Sequence, residues 1–272
     1  MTRSPAPATA RRGPNPVAAD RRRWCLAAGA ASALVLAGCT TLRRPPAAAP
    51  PPPPSVVPPL SGPPGPDGLP VGWQRHVMRA DRAHTFYEPV ERDGRRVVHA
   101  VADSASSGLR CDVDIDARAT PWLSWSWQVA ALPDGATMAE DERDDSPARV
   151  ILAFDGDLAR LSLRDRWFHE QVELFTGQPL PYAMLMYGWD GDAPVDTVLP
   201  YPRSSRIRYL VVEQGAAGVG QWRHYRRNVA DDYRRVFGEP PGPIRHVAIL
   251  TDSDDLKCRL EAWFGDLSFS AG

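Results

Sequence analysis

The sequence predicts a mainly β protein, a β-sandwich of jelly-roll type carrying two short helical insertions. Three observations predict it. Eight short segments alternate apolar and polar residues or carry β-rich apolar runs, with turn residues between most of them. In Trp122 to Val129, Leu123, Trp125, Trp127 and Val129 fall on one face while Ser124, Ser126 and Gln128 fall on the other, the period of a half-buried sheet. Nothing repeats at a fixed spacing, which disfavours a solenoid or propeller.

The chain divides into residues 1–38 as a signal peptide, 39–68 as a lipidated Ala/Pro-rich linker and 69–272 as the β-sandwich domain. Asp20-Arg-Arg-Arg-Trp-Cys-Leu26 precedes an apolar run, Ala27 to Gly38. That run is shorter than the roughly 20 residues a spanning helix needs, so it reads as an export signal. Arg21-Arg22 with Trp24 and Leu26 also resembles a twin-arginine signal. The run ends in Leu36-Ala37-Gly38-Cys39, which resembles a bacterial lipobox and makes Cys39 the expected lipidation site. A chance match in an Ala-rich helix is the plainer alternative. The expected location is the cell envelope, lipid-anchored and periplasm-facing. The absence of Asp directly after Cys39 tilts sorting toward the outer membrane. Of the 29 prolines, twelve lie between Pro45 and Pro66. Such a segment extends as polyproline II by about 3.1 Å per residue, or is a disordered tail.

Within the domain the expected strands are Arg95 to Asp103, Leu109 to Ile115, Trp122 to Val129, Arg149 to Asp155, Tyr182 to Trp189, Arg206 to Glu213, Arg245 to Asp252 and Glu261 to Phe269. Two stretches follow helical spacing instead. Leu158, Leu161, Phe168, Val172 and Phe175 do so in Asp157 to Phe175, with Gly177 as a stop. Val229 to Phe237 is the second, capped by Asn228 and ended by Gly238 and Pro240.

Charge bounds the partners. The total is -1, but residues 1–38 hold six Arg and one Asp, leaving 26 basic and 32 acidic residues from Cys39 onward. A surplus of acid argues against a nucleic-acid partner, whose binding requires a concentrated basic face. Of four cysteines, Cys25 leaves with the signal and Cys39 is acylated; Cys111 and Cys258 remain, and in an exported domain they suggest a disulfide. Two separate buried thiols are the alternative. With no Cys-x-x-Cys and no paired His spacing, neither a metal nor a cofactor is expected.

Familiar catalytic signatures are absent: there is no Gly-x-Ser-x-Gly elbow or Walker loop, and Gly215-Ala-Ala-Gly218-Val-Gly220 is wrongly spaced for a dinucleotide. His169-Glu170-Gln-Val-Glu173 has Glu where a zinc-protease helix needs its second His. Three polar clusters remain. Glu140 to Asp145, with Arg149 after it, suits a hard cation or a sugar, or is a hydrated loop. Asp252-Ser-Asp254-Asp255 invites comparison with a calcium loop, but without the central Gly and with Leu256 at the third ligand position it is no EF-hand; a turn with Asx caps is the alternative. Tyr182, Tyr187 and Trp189 suit stacking on a pyranose ring, or core packing.

Trp125-Ser-Trp127, Asp144-Asp145-Ser-Pro-Ala-Arg149-Val-Ile-Leu-Ala-Phe154-Asp and Leu180-Pro-Tyr182-Ala-Met-Leu-Met-Tyr187-Gly-Trp189 together resemble the bacterial domain of unknown function 3047. So do Arg227-Asn228 through Phe237-Gly238, Ile249 to Asp254 and Trp263 to Phe269. The resemblance spans roughly Gly72 to Phe269 and implies a fold neighbourhood without a reaction. The closing strand with Gly265-Asp266 is similar, more loosely, to galactose-binding-like jelly rolls and carbohydrate-binding modules, where the Asp often helps a structural calcium site.

The expectation that follows is a lipid-anchored sandwich that binds a glycan without catalysis. Its surface is expected to comprise Asp144, Asp145 and Arg149, bonding hydroxyls, and Tyr187 and Trp189, stacking on rings. The alternative is an envelope polysaccharide hydrolase in which two carboxylates, such as Asp145 and Asp190, act as acid and base. A third reading is an assembly lipoprotein contacting only proteins.

Overall fold

Alternation in the strands produces two layers because each strand has one apolar face and must bury it against another sheet. The computed structural model describes residues 54–272; the expected signal peptide, Cys39 and most of the Pro-rich stretch lie outside the described residues. The strands are β1 Gln74–His76, β2 Phe86–Arg92, β3 Arg95–Asp103, β4 Ser106–Ile115, β5 Trp122–Val129, β6 Ser146–Phe154, β7 Ala183–Asp190, β8 Val198–Pro200, β9 Ile207–Gln214, β10 Arg223–Asn228, β11 Ile244–Asp252, β12 Arg259–Phe264 and β13 Ser268–Ser270. The helices are α1 Leu163–Thr176 and α2 Val229–Phe237. One sheet runs β1-β4-β11-β6-β7-β9-β8 and the other β10-β5-β12-β3-β2, with β13 pairing β5. All pairs are antiparallel except β7 with β9.

The core between the sheets is built from rings. Trp125 on β5 stacks on Tyr187 of the opposite sheet at 5.1 Å between centroids, and Trp127 meets Phe264 edge-on at 6.4 Å. Leu123, Trp125, Trp127 and Val129 are all buried, as their alternation predicts. Helix α2 has the predicted bounds: the Asn228 side chain accepts from the Asp231 amide, and Gly238 closes the helix in the left-handed region at φ 73°. Helix α1 starts later than the spacing suggests, because Ser162 caps it and residues 158–160 form a separate 3-10 turn. Its Phe168 and Val172 pack on the outer face of the seven-stranded sheet, over Met186 and Tyr209, while Leu163, Trp167 and Leu174 point outward.

Two expectations are corrected here. The packed unit does not begin at Leu69: Val57 and Leu60 belong to the core, and the Asp266 carboxylate accepts from both the Ser61 amide and its hydroxyl at 2.7 Å. Apolar residues set between prolines lose little freedom on burial, so this part of the stretch joins the fold. Asp266 therefore acts as a clamp on that segment. Leu60→Ala is expected to cost about 2–5 kcal/mol in urea unfolding, the range for emptying a buried leucine site; a change under half a kcal/mol at unaltered slope would show the segment to be dispensable.

The disulfide is not formed; Cys111 and Cys258 are both free thiols. Cys258 lies beside the start of β4, its carbonyl accepting from Ser104, whereas Cys111 is five residues further along that strand, about 17 Å at 3.4 Å per residue. A bridge requires Cα atoms within about 7 Å. Burial pushes the Cys111 thiol up to about 12, and it donates weakly to the Val247 carbonyl at 3.6 Å.

Candidate functional site

The register between β6 and β7 decides where the five expected surface residues go. Arg149 pairs with Gly188, so its side chain projects from the outer face of the seven-stranded sheet, while Tyr187 and Trp189 on either side of Gly188 project into the core. The structure thus brings Asp144, Asp145 and Arg149 together and separates them from both rings. Tyr187 and Trp189 are fully buried; Tyr187 donates to Asp232 at 3.0 Å and the Trp189 indole to the Gly215 carbonyl at 2.9 Å. Neither ring is open to a sugar, which corrects the stacking role. Tyr182 is likewise buried, with Arg206 over its ring.

Around Arg149 the outer face carries an ionic cluster. Arg149 is 3% exposed; Nη2 donates to Asp144 Oδ1 at 2.6 Å and Nη1 to Asp252 Oδ2 at 3.0 Å. The Tyr209 hydroxyl donates to the other Asp144 oxygen at 2.6 Å. Burial pushes Asp144 up to about 6, against the pull of Arg149 and Tyr209. Asp145 is 1% exposed, and its two oxygens accept the Asp255 and Leu256 amides at 3.0 and 2.8 Å. Asp190 does similar work: its oxygens accept the Met138, Asp192 and Ala193 amides. The two carboxylates offered for hydrolysis each hold a loop by its backbone.

The open cleft lies elsewhere on the same face, between β1 and the segment that follows α1. It has a volume of about 440 Å³ and is lined by Gln74, Arg75, His76, Val77, Arg110, Gln178, Pro179 and His246. An apolar recess of about 150 Å³ adjoins it, floored by Ile151, Ala153, Met184, Met186 and Ala248 and roofed by Val172 and Leu180. The polar end is electropositive. Burial, then the charges of Arg110 and His246, hold His76 down to about 4. His246 Nδ1 lies 2.9 Å from Asp112 Oδ1, and the Arg110 guanidinium is 3.6 Å from the same oxygen. The Arg110 Nε–H is buried and makes no hydrogen bond; Asp112 Oδ1, 3.6 Å from that same nitrogen, is an ion-pair neighbour too distant to accept it. An unpaired buried donor costs free energy that an incoming acceptor recovers. No carboxylate is among the lining residues of this cleft.

These lining residues escaped the sequence reading. Arg110 and His246 occupy the outward phase of strands whose inward phase, Leu109, Cys111 and Val113 on β4, was legible. That β4 and β11 are neighbours depends on pairing such as His246 with Asp112, 134 residues apart, and that Gln74 to His76 border them depends on a further pairing with β4 across 32–36 residues.

The family described as "Protein of unknown function (DUF3047)" matches residues 71–268. The chain belongs to the DUF3047 family. No curated protein matches it in sequence. Among solved structures, the DUF3047 sandwich is similar to the endoglucanase 3 of family GH12 from Trichoderma harzianum, with a TM-score of 0.40, 8% identity and coverage of 73% of this chain and 90% of that one. The xyloglucanase domain of NopAA from Sinorhizobium fredii, solved with cellobiose, gives 0.39 at 8% identity over 73% of this chain and 92% of the other. The carbohydrate recognition domain of Emp47p gives 0.39 at 13% identity over 80% and 95%. No residue role passes from these structures to this DUF3047 chain.

Proposed function

We propose that this DUF3047 domain binds a glycan without catalysing a reaction, and that the glycan carries carboxylate groups. The observation that carries this reading is the Arg110 Nε–H, buried without a hydrogen bond and only ion-paired at 3.6 Å to Asp112, in a cleft whose other polar groups are His76, His246, Gln74, Gln178 and Arg75. The arginines only donate, while the amides and the neutral imidazoles both donate and accept, and together they suit hydroxyls with one carboxylate. The apolar recess beside them suits the less polar face of a sugar ring. Hydrolysis requires two carboxylates flanking the bond to be cut, and the cleft lining supplies none. Tethering at the cell envelope through acylated Cys39 is part of the proposal and rests on the sequence alone.

The test is titration of the full chain with a uronic-acid oligosaccharide and with its neutral counterpart. The acidic sugar is expected to bind at least tenfold more tightly, and Arg110→Ala to remove that preference with little effect on thermal stability. Equal affinity for both sugars, or none for either, overturns the reading. The pH dependence has a definite sign. An anion in the cleft favours protonated His76, raising it from about 4, so affinity is expected to increase as the pH falls from 7 toward 5. His76→Gln is expected to flatten that slope.

A further inference from the structure

We infer that the outward face of α1 binds the same face of a second copy of this chain, the two helices lying antiparallel about a two-fold axis beside His169 and Glu170. Helix α1 carries apolar residues on two opposite sides. Phe168 and Val172 pack on the sheet, whereas Leu163, Trp167 and Leu174 are 62–82% exposed on the other side, with Phe175 at its edge. Of the nine large hydrophobic residues exposed among the described residues, five fall between Leu158 and Phe175, so they form one patch rather than a scatter. The spacing says what shape of partner fits. Leu163, Trp167, Glu170 and Leu174 stand four, three and four residues apart, the seam by which one helix packs along another.

Charge selects a second copy as that partner. The exposed side of α1 is basic in its first half, with Arg164 and Arg166, and acidic in its second, with Glu170 and Glu173. Arg166 and Glu173 are seven residues apart, hence on one flank of the seam, and neither forms an ion pair among the described residues. Arg166 Nη2 donates to the Ala159 and Leu161 carbonyls, which leaves Nε and Nη1 for an acceptor from outside. A two-fold axis across the helices keeps each flank on its own side and reverses its order, so Arg166 meets the partner's Glu173, and the contact occurs twice. In the same register Leu174 enters between the partner's Leu163 and Trp167. A parallel pair would set basic half on basic half. An anionic lipid surface would meet the two glutamates as well as the two arginines, whereas the reversed copy pairs them. The contact is weakest at the axis, where the two Glu170 side chains approach each other, and a polar residue in such a seam lowers stability. A helix of 14 residues is about 21 Å long, a small interface, so a micromolar Kd is expected. On its other side α1 lines the apolar recess through Val172 and Thr176, and the partner copy braces that wall. The inference is independent of what the cleft binds.

The experiment is sedimentation equilibrium of the full chain in reducing buffer at neutral pH, at concentrations from about one to a few hundred micromolar. A monomer–dimer equilibrium is expected. Leu174→Ser is expected to weaken it at least tenfold; the residue is 80% exposed, so the variant keeps the fold, and its Tm at high dilution is expected to match that of the parent. Arg166→Glu and Glu173→Arg are each expected to weaken the dimer at least tenfold, and the two together to restore it to within threefold. Glu170→Gln is expected to tighten it. The rescue carries the most weight, since a contact made elsewhere on the chain does not respond to the exchange of these two charges. A chain that stays monomeric throughout overturns the inference, as does failure of the rescue. So does a dimer indifferent to Leu174→Ser, because another surface then makes it. A monomer that sediments with phosphatidylglycerol vesicles, and loses them on Leu174→Ser, overturns it too, because lipid then covers the face.

Discussion

Replacing Arg149 with alanine is expected to destabilise the domain by about 3–5 kcal/mol, the range found when one partner of a buried ion pair is removed. The side chain is 3% exposed and holds both Asp144 and Asp252. Without it two buried carboxylates face each other with no cation between them, and both respond by keeping their protons. The loss is therefore expected to depend on pH. Asp144 in the folded domain already sits at about 6, above its ordinary 3.8. A folded-state value raised in this way contributes stability that is complete below about pH 4 and is lost as the pH rises through about 6. Deleting Arg149 pushes the folded value higher still, so the gap between wild type and Arg149→Ala is expected to be large at pH 8 and to narrow toward pH 5. Urea unfolding at the two pH values measures it. An equal gap at both would mean that lost packing, not uncompensated charge, is what the arginine prevents.

Trp189→Ala is expected to cost a further 3–5 kcal/mol in its own right, the usual range for emptying a buried tryptophan site. The ring is fully buried and its indole N–H ends on the Gly215 carbonyl. Affinity for an acidic oligosaccharide, measured well below the lowered Tm, is expected to stay within twofold of wild type. A variant that kept its stability and lost its ligand would return the ring to the surface role that its neighbours in sequence suggest.

How far the sequence could be read depended on whether the information was local. Strands β3 and β5 have the bounds their alternation predicts, and α2 has both caps in place, because each signal lies within a dozen residues. The strands that were not legible are short or lie at sheet edges. Strand β2 contains Pro89, which cannot donate to a ladder, and β10 is Arg-His-Tyr-Arg-Arg-Asn, in which Tyr225 alone packs on the hydrophobic core while Arg223 and Arg227 share its phase. β1 and β8 have three residues each. Glu261 to Phe269 reads as one strand but is two, since Gly265 and Asp266 break it between β12 and β13. For the candidate site the limit was phase. Asp144, Asp145 and Arg149 do come together, but as a buried ionic group and not as an open surface, and Tyr187 and Trp189, adjacent in any linear reading, are on the far side of the sheet. An alternating strand with apolar residues in both phases, Met184 and Met186 against Leu185 and Tyr187, does not announce which phase faces inward.

Val57, Leu60 and the Ser61–Asp266 clamp give the domain a mechanical order of events. A pull on the N-terminal side of the chain is expected to strip residues 54–73, with the Pro54 to Asp114 bond, the two buried side chains and the clamp, before any sheet loses a strand. Those twenty residues reach at most about 66–72 Å when fully extended, and the slack they release is that length less their folded span. The segment is thus a shock absorber in series with the sandwich, and β1, next in line at the sheet edge, unzips only after it has been exhausted.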